Sequence, residues 1–433
     1  MSEDEQDGGS ATFGFSSHIL RAAVLGEMHA RPAHPLDRPR TVLHLAFLTG
    51  PEEAAADRLA LDRLALSLGV RGSGPEMKHC RFDLLGGVLR WEQHTEFTTY
   101  TFDAPPGSGR LPEHPFGVAF RQPGPLIAAV RVDVRSAPVR TEDGLDGFDP
   151  ISLCVSRVAE GEAVVATDFR QDADGFTRIR VLDAGMSPSR TGTLVQRLIE
   201  IETYRTLALL GLPEAQRLGP GIRRIETGLV ASLEAMKETR GLTDNQRLLA
   251  ELTDLAAALE ADAAATAYRF GATRAYHEIV EERLDAIREV HVQGYGSWRG
   301  FLQRRFGPAM RTCLAIESRQ TDLATKLARA ANLLRTRVDV ELERQNRDLL
   351  HSMNLRARLQ LRLQQTVEGL SVAAISYYVV SLIGKLAEGA HVEGLPFHPE
   401  LVTALSVPLV VVAIWLVVRR IRRHHAGSRS DIH

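Results

Sequence analysis

"RLQLRLQQTVEGLSVAAISYYVVSLIG", Arg358 to Gly384, begins as a charged helix and ends as an apolar run. It holds no proline and no glycine pair, so nothing in it separates the two halves. From Gly369 to Gly384 there is no formally charged residue. A second run, Leu401 to Val418 ("LVTALSVPLVVVAIWLVV"), is more apolar still. Each lies near the lower limit of the roughly 17 to 25 residues that span a bilayer as a helix.

The flanks assign an orientation. Arg356, Arg358 and Arg362 precede the first run, and Arg419, Arg420, Arg422 and Arg423 follow the second. Between the runs Glu388, Glu393 and Glu400 face a single Lys385. The positive-inside bias then puts both termini in the cytoplasm and the short loop outside. Tyr377, Tyr378 and Trp415 suit anchoring or packing within the membrane.

Upstream, Cys313 to Val367 has no Pro and no Gly. Apolar positions recur at Leu323, Leu327, Ala330, Leu334, Val338, Leu342, Leu349, Met353, Leu359, Leu363 and Val367, mostly three or four apart. That is a helical seam with charged flanks such as Arg335, Asp339, Glu343 and Arg347. A helix of this length rises roughly 80 Å at 1.5 Å per residue. It cannot bury its seam alone, so the expected partner is another helix of its own chain or a second copy. One helix is thus expected to serve as stalk and first membrane span.

The rest reads as a soluble domain. "TVLHLAFL" (Thr41 to Leu48) is a strand pattern and Glu52 to Leu68 an amphipathic helix. Strand-like segments follow up to about residue 185, punctuated by Gly86-Gly87, Gly107, Gly161 and Asp174-Gly175. At Ser187-Pro188 the period changes to helical, with Ser187 as N-cap and Pro188 at the first helical position. Residues 211–221 read as a break, after which helices resume at Ile222 to Thr239, Asp244 to Ile287 and Trp298 to Arg311.

The expected class is therefore α+β. A disordered acidic N-terminus (1–15) precedes a mostly antiparallel sheet domain with helices (16–186) and an antiparallel helical domain (187–312). A stalk or coiled-coil helix (313–368), a transmembrane helix (369–386), a periplasmic loop (387–400), a second transmembrane helix (401–418) and a basic cytoplasmic tail (419–433) complete the chain.

Formal net charge is -2 over 433 residues, which calls for no nucleic-acid partner. The start, "MSEDEQDGGS", lacks the basic and apolar regions of a signal peptide. Cys80, Cys154 and Cys313 are far apart and fit free thiols in a reducing cytosol.

Candidate chemistry is sparse. Glu92, His94 and Glu96 alternate on one face if Arg90 to Phe102 is a continuous strand. His44 on another strand and His29 in "MHARP" are positioned to join them as a carboxylate-imidazole metal cluster. The competing reading is a solvated strand face or a buried polar network. Asp168, Asp172 and Asp174 in "TDFRQDADGF" resemble a calcium loop loosely, and a β-turn tip explains them better. No GxGxxG, GxxxxGK[ST], GxSxG or HExxH stands in a usable context, so neither an enzyme nor a cofactor is expected. In the first span, Ser371, Ala374, Tyr378, Ser381 and Lys385 fall within about 80° of one another on a helical wheel. Such a stripe faces a neighbouring helix or lines a pore.

Several strings together resemble one family: "EMHARP" (Glu27 to Pro32), "RWEQHTEFTTYTF" (Arg90 to Phe102), "TDFRQDADGFTRI" (Thr167 to Ile179), "QRLIEIETYR" (Gln196 to Arg205) and "RLQQTVEGLSVAAISYY" (Arg362 to Tyr378). They are similar to the bacterial membrane-anchored proteins grouped as domain of unknown function 3422. The resemblance implies a proteobacterial inner-membrane protein and carries over no activity or catalytic residue. The topology also resembles CorA-type divalent-cation channels, which run a stalk helix into a first, pore-lining span. Pro399-Glu400-Leu401 matches the acidic motif of their outer loop. Their Gly-Met-Asn motif is absent, with "GKLAEG" (Gly384 to Gly389) in its place, which argues against magnesium selectivity.

Two functional classes are expected: a non-enzymatic membrane-anchored scaffold or sensor, or an oligomeric CorA-like channel of altered selectivity. The partners expected are the lipid bilayer, further copies of the chain, and an unknown cytoplasmic protein or ligand.

Overall fold

The computed structural model describes residues 15, 18–21, 24–25, 33–67, 69, 78–84, 86–106, 120–136, 145–392 and 398–427. Residues 1–14, His29 and Glu393 lie outside them. The fold is mixed α+β, as the alternation of strand and helix patterns predicts. The chain forms two compact units. Met1–Glu238 with Leu248–Ala331 makes one, and Thr239–Arg247 with Asn332–His433 the other.

The first unit is built on a nine-stranded sheet: β1 (Arg40–Leu48), β2 (His79–Leu84), β3 (Gly87–Gln93), β4 (Phe97–Ala104), β5 (Leu126–Ser136), β6 (Cys154–Val158), β7 (Ala163–Thr167), β8 (Thr177–Asp183) and β9 (Val290–His291). Spatial order is β2-β3-β4-β1-β5-β8-β7-β6-β9. β5 and β8 pair in parallel, and the other ladders are antiparallel.

Strand alternation gives the sheet two unlike faces. On one, Phe47, Phe82, Leu89, Trp91, Tyr100 and Phe102 pack with Leu61 and Ala65 of helix α1 (Pro51–Ser67). Asp57 of α1 is buried there, and it accepts hydrogen bonds from Trp91 Nε1 at 2.8 Å and Tyr100 OH at 2.6 Å. Desolvation raises the pKa of Asp57 while those two bonds oppose the rise.

The opposite face carries Ala46, Phe97 and Ala128, packed on Leu207 of helix α2 (Pro188–Leu209). Ser187 is the N-cap and Pro188 follows it, but the Ser187 side chain makes no capping bond. Asp183 anchors this end instead, accepting from the Gly185 and Met186 amides and the Thr191 hydroxyl at 2.7 to 2.8 Å. Gly192 lets the chain at His34 lie across α2, since a Cβ there would fall 1.8 Å from the His34 carbonyl oxygen.

The expected break at 211–221 is absent. Helix α3 runs unbroken from Gly211 to Glu238 with Pro220 inside it. Gly211 is there for space, because a Cβ would sit 2.4 Å from Thr273 Oγ1 on helix α4 (Leu242–Ala286). The glycine permits close helix packing at the start of α3, directly after α2 ends at Leu209.

Helix α5 is also longer than the seam predicts, extending from Trp298 to Val392 through Pro308. It contains the first apolar run, and α6 (Pro399–Gly427) contains the second. Along α5 the seam divides sharply. Leu323, Leu327, Ala330, Leu334 and Val338 are buried. Leu342, Leu349, Met353, Leu359, Leu363 and Val367 are exposed.

In the second unit, Gly384 of α5 meets Thr403 of α6; an added Cβ would lie 3.2 Å from Thr403 Oγ1. Ser376 is buried on the same side of α5, two helical turns before Gly384. Ser371, Tyr378, Ser381 and Lys385 are exposed, so the polar stripe is not the face that joins the two helices. Both helices are long and apolar enough to cross a membrane, and almost none of either apolar window is buried.

Candidate functional site

The run Arg90 to Phe102 is not one strand. It folds as a hairpin, β3 to β4, closed by His94 N donating to Phe97 O at 2.8 Å. The expected trio of Glu92, His94 and Glu96 is therefore split. Glu96 sits in the turn, where Arg269 of α4 holds both its oxygens at 2.6 and 3.1 Å. Glu92 and His94 stay together, with 3.8 Å between His94 Nε2 and Glu92 Oε2. The His94 ring also stacks on Phe97, with centroids 4.1 Å apart.

Beside them, on the α2 face, lies a cavity of about 290 Å³. Its floor comes from β1, β3 and β4, and α2 supplies one wall. Strand register explains the grouping. Arg90 lies opposite Thr101, and Thr101 opposite His44, so three adjacent strands present one polar row. Glu92 and Thr99 make the next row along the same face. From α2 come Gln196, Glu200 and Thr203, and Arg283 of α4 completes the lining.

His44 is fully enclosed. Its Nδ1 lies 2.8 Å from Thr101 Oγ1, and its Nε2 has no partner. Burial, with the Arg90 charge adding to it, pushes its pKa down to about 3, so the ring is neutral. Arg90 Nε is likewise buried without a partner. Burial lowers the Arg90 pKa, while the charges of Asp103 and Glu92 act against that shift. Arg81 faces Arg90 directly across the β2–β3 ladder, and like charges so placed repel. The acids in the cavity wall are engaged. Glu200 pairs with Arg283 and accepts from Gln196 Nε2 at 2.9 Å, and Glu92 lies beside His94.

His44, Glu92 and His94 thus share a cavity, as their strand positions suggest. His29 lies outside the described residues. Among the described residues no group of three or more His, Cys, Asp or Glu is placed to hold a metal ion. Arg90 and Thr203 were not singled out from the sequence. Arg90 was legible, since it has the strand parity of Glu92; Thr203 was not, since nothing local ties α2 to that face.

The aspartates of "TDFRQDADGF" form a turn. Asp172 Oδ1 accepts from the Asp174 and Phe176 amides at 3.0 and 2.9 Å, and Asp168 accepts from those of Asp149 and Arg170 at 2.9 and 3.1 Å. Cys80, Cys154 and Cys313 are free. Burial raises the first two thiols to about 12.

Comparison with protein families decides the affiliation. The model described as "Protein of unknown function (DUF3422)" matches residues 16–425, which covers both units. The chain is a DUF3422 protein. No curated protein and no solved structure matches it. The membership agrees with the motifs from "EMHARP" to "RLQQTVEGLSVAAISYY", all of which fall inside the DUF3422 match.

Proposed function

We propose that this protein is a non-enzymatic sensor or scaffold, anchored in a bacterial inner membrane by the α5–α6 hairpin, with its sheet unit in the cytoplasm. The observation that carries this reading is the exposure of both apolar windows. Core helices of a soluble unit would be covered, whereas apolar helices without cover suit a lipid solvent. Arginines on the outer ends of the hairpin and glutamates near its loop support the orientation.

The cavity beneath α2 gives such a protein something to sense. In its wall Glu200 is salt-bridged to Arg283, and Glu92 lies 3.8 Å from His94. The exposed half of the α5 seam supports self-association. Copies anchored in one bilayer run parallel, and Leu342, Leu349, Met353, Leu363 and Val367 then meet their counterparts.

A CorA-like channel is the second reading, favoured by the continuity of α5 from seam to apolar run and by the exposed polar stripe. Topology tests the anchor. A reporter fused after His433 is active in the cytoplasm only, and a tag inserted at Gly394 is reached from the periplasm. Release of the protein by alkaline carbonate, or a cytoplasmic Gly394 tag, overturns the hairpin.

A further inference from the structure

Three polar atoms lining the cavity beneath α2 lack partners: His44 Nε2, Arg90 Nε and Thr203 Oγ1. Two of the three belong to side chains that are more than nine-tenths buried, His44 and Thr203. Buried polar atoms are nearly always satisfied, so three orphans around one space mark a missing partner.

The kind of partner follows from the atoms. Arg90 is a cation with donors only. The Thr203 hydroxyl is free to donate. The His44 Nδ1–Thr101 contact fits either tautomer; in the one where the hydroxyl donates to Nδ1, the ring proton sits on Nε2 and that atom becomes a third donor. Glu200 is paired with Arg283, while the charges of Asp103 and Glu92 act on Arg90, so a bound oxyanion shares the guanidinium with those two carboxylates. Arg81 opposite Arg90 adds a positive charge that partly offsets Asp103 and Glu92.

We propose that the cavity binds a small oxyanion, a carboxylate or a phosphate, with Arg90 as the charge partner and His44 and Thr203 as hydrogen-bond donors. The site names the ligand class for the sensor reading above and rests on it. Guanidinium geometry suits both oxyanions, since two of its N–H groups meet two oxygens of either group. The volume, about 290 Å³, admits a metabolite-sized molecule and no polymer.

Calorimetric titration of the full-length protein in detergent micelles tests the site. Orthophosphate and succinate are added in separate arms at ionic strength held constant with sodium chloride. Saturable one-site binding is expected in at least one arm, and the stronger arm names the source. Arg90→Gln should weaken it about tenfold or more. Thr203→Val, which replaces the hydroxyl by a methyl of similar size, should weaken it by a smaller factor. It also serves alone if Arg90→Gln does not fold.

Absence of saturable binding in both arms sinks the proposal, as does wild-type affinity in every folded variant. Mass spectrometry of small molecules released on denaturing the purified protein separates the two readings. A neutral or cationic ligand there would overturn the oxyanion and leave the sensor standing.

Discussion

His44 and Thr101 meet across the β1–β4 ladder at 2.8 Å, and that contact occupies one nitrogen of a buried imidazole. The folded ring titrates near pH 3 and an unfolded one near 6.5. Unfolding therefore takes up a proton in that window. Stability from the neutral ring is fully present above pH 6.5 and is lost as pH falls toward 3. From pH 6.5 to 4.5 the loss from this one group is about 2 to 3 kcal/mol. Urea midpoints for wild type and His44→Gln, measured at both pH values, check this. The variant should lose distinctly less on acidification, and equal losses would mean the ring is not buried neutral.

Arg269 and Glu96 tie α4 to the β3–β4 turn through two hydrogen bonds, with little of either side chain exposed. Arg269→Met removes the cation and leaves a nearly buried carboxylate. A loss of about 2 to 3 kcal/mol is expected, within the range for breaking a buried pair after allowance for partial exposure. Arg269→Met with Glu96→Gln should recover part of it. If the double variant is no more stable than the single, the pair is not coupled.

The two halves of the α5 seam should answer differently to charge. Leu334→Asp with Val338→Asp inserts charge where the chain itself is packed, so the melting temperature should fall steeply. Leu349→Asp with Leu363→Asp strikes exposed positions. It should spare the melting temperature and shrink the particle seen by light scattering in detergent. An unchanged size removes this stretch as an assembly element.

Divalent-cation uptake into liposomes separates sensor from channel. A pore lined by Ser371, Tyr378 and Ser381 would carry a ring of Lys385 at its mouth, and Lys385→Ser would relieve repulsion and raise uptake. The sensor reading expects both proteins to match empty liposomes. Uptake by either above that background favours the channel.

Much of the architecture was legible because it depends on local periodicity. Thr41 to Leu48 alternates as a strand must, and Arg358 to Gly384 has no break, so β1 and the continuity of α5 could be read directly. The misreadings came where a residue's role was set by a distant neighbour. Gly211 punctuates a sequence, yet it opens α3, and its missing side chain leaves room for Thr273. The string "RWEQHTEFTTYTF" can be read as one strand, but the turn at His94 sends Glu96 to Arg269 and leaves Glu92 at the cavity.

By itself the sequence determined the α+β class, the long helix and the two apolar runs, since each arises from hydrophobic spacing within one segment. Of the expected face of Glu92, His94 and Glu96, only the first two lie together. Only the tertiary structure decided that His44, Arg90 and Thr203 converge, because strand register and the placement of α2 unite residues more than a hundred positions apart. The same holds for the α5 seam. Its apolar positions recur from Leu323 to Val367, and only the folded structure divides them into a covered half and a bare one.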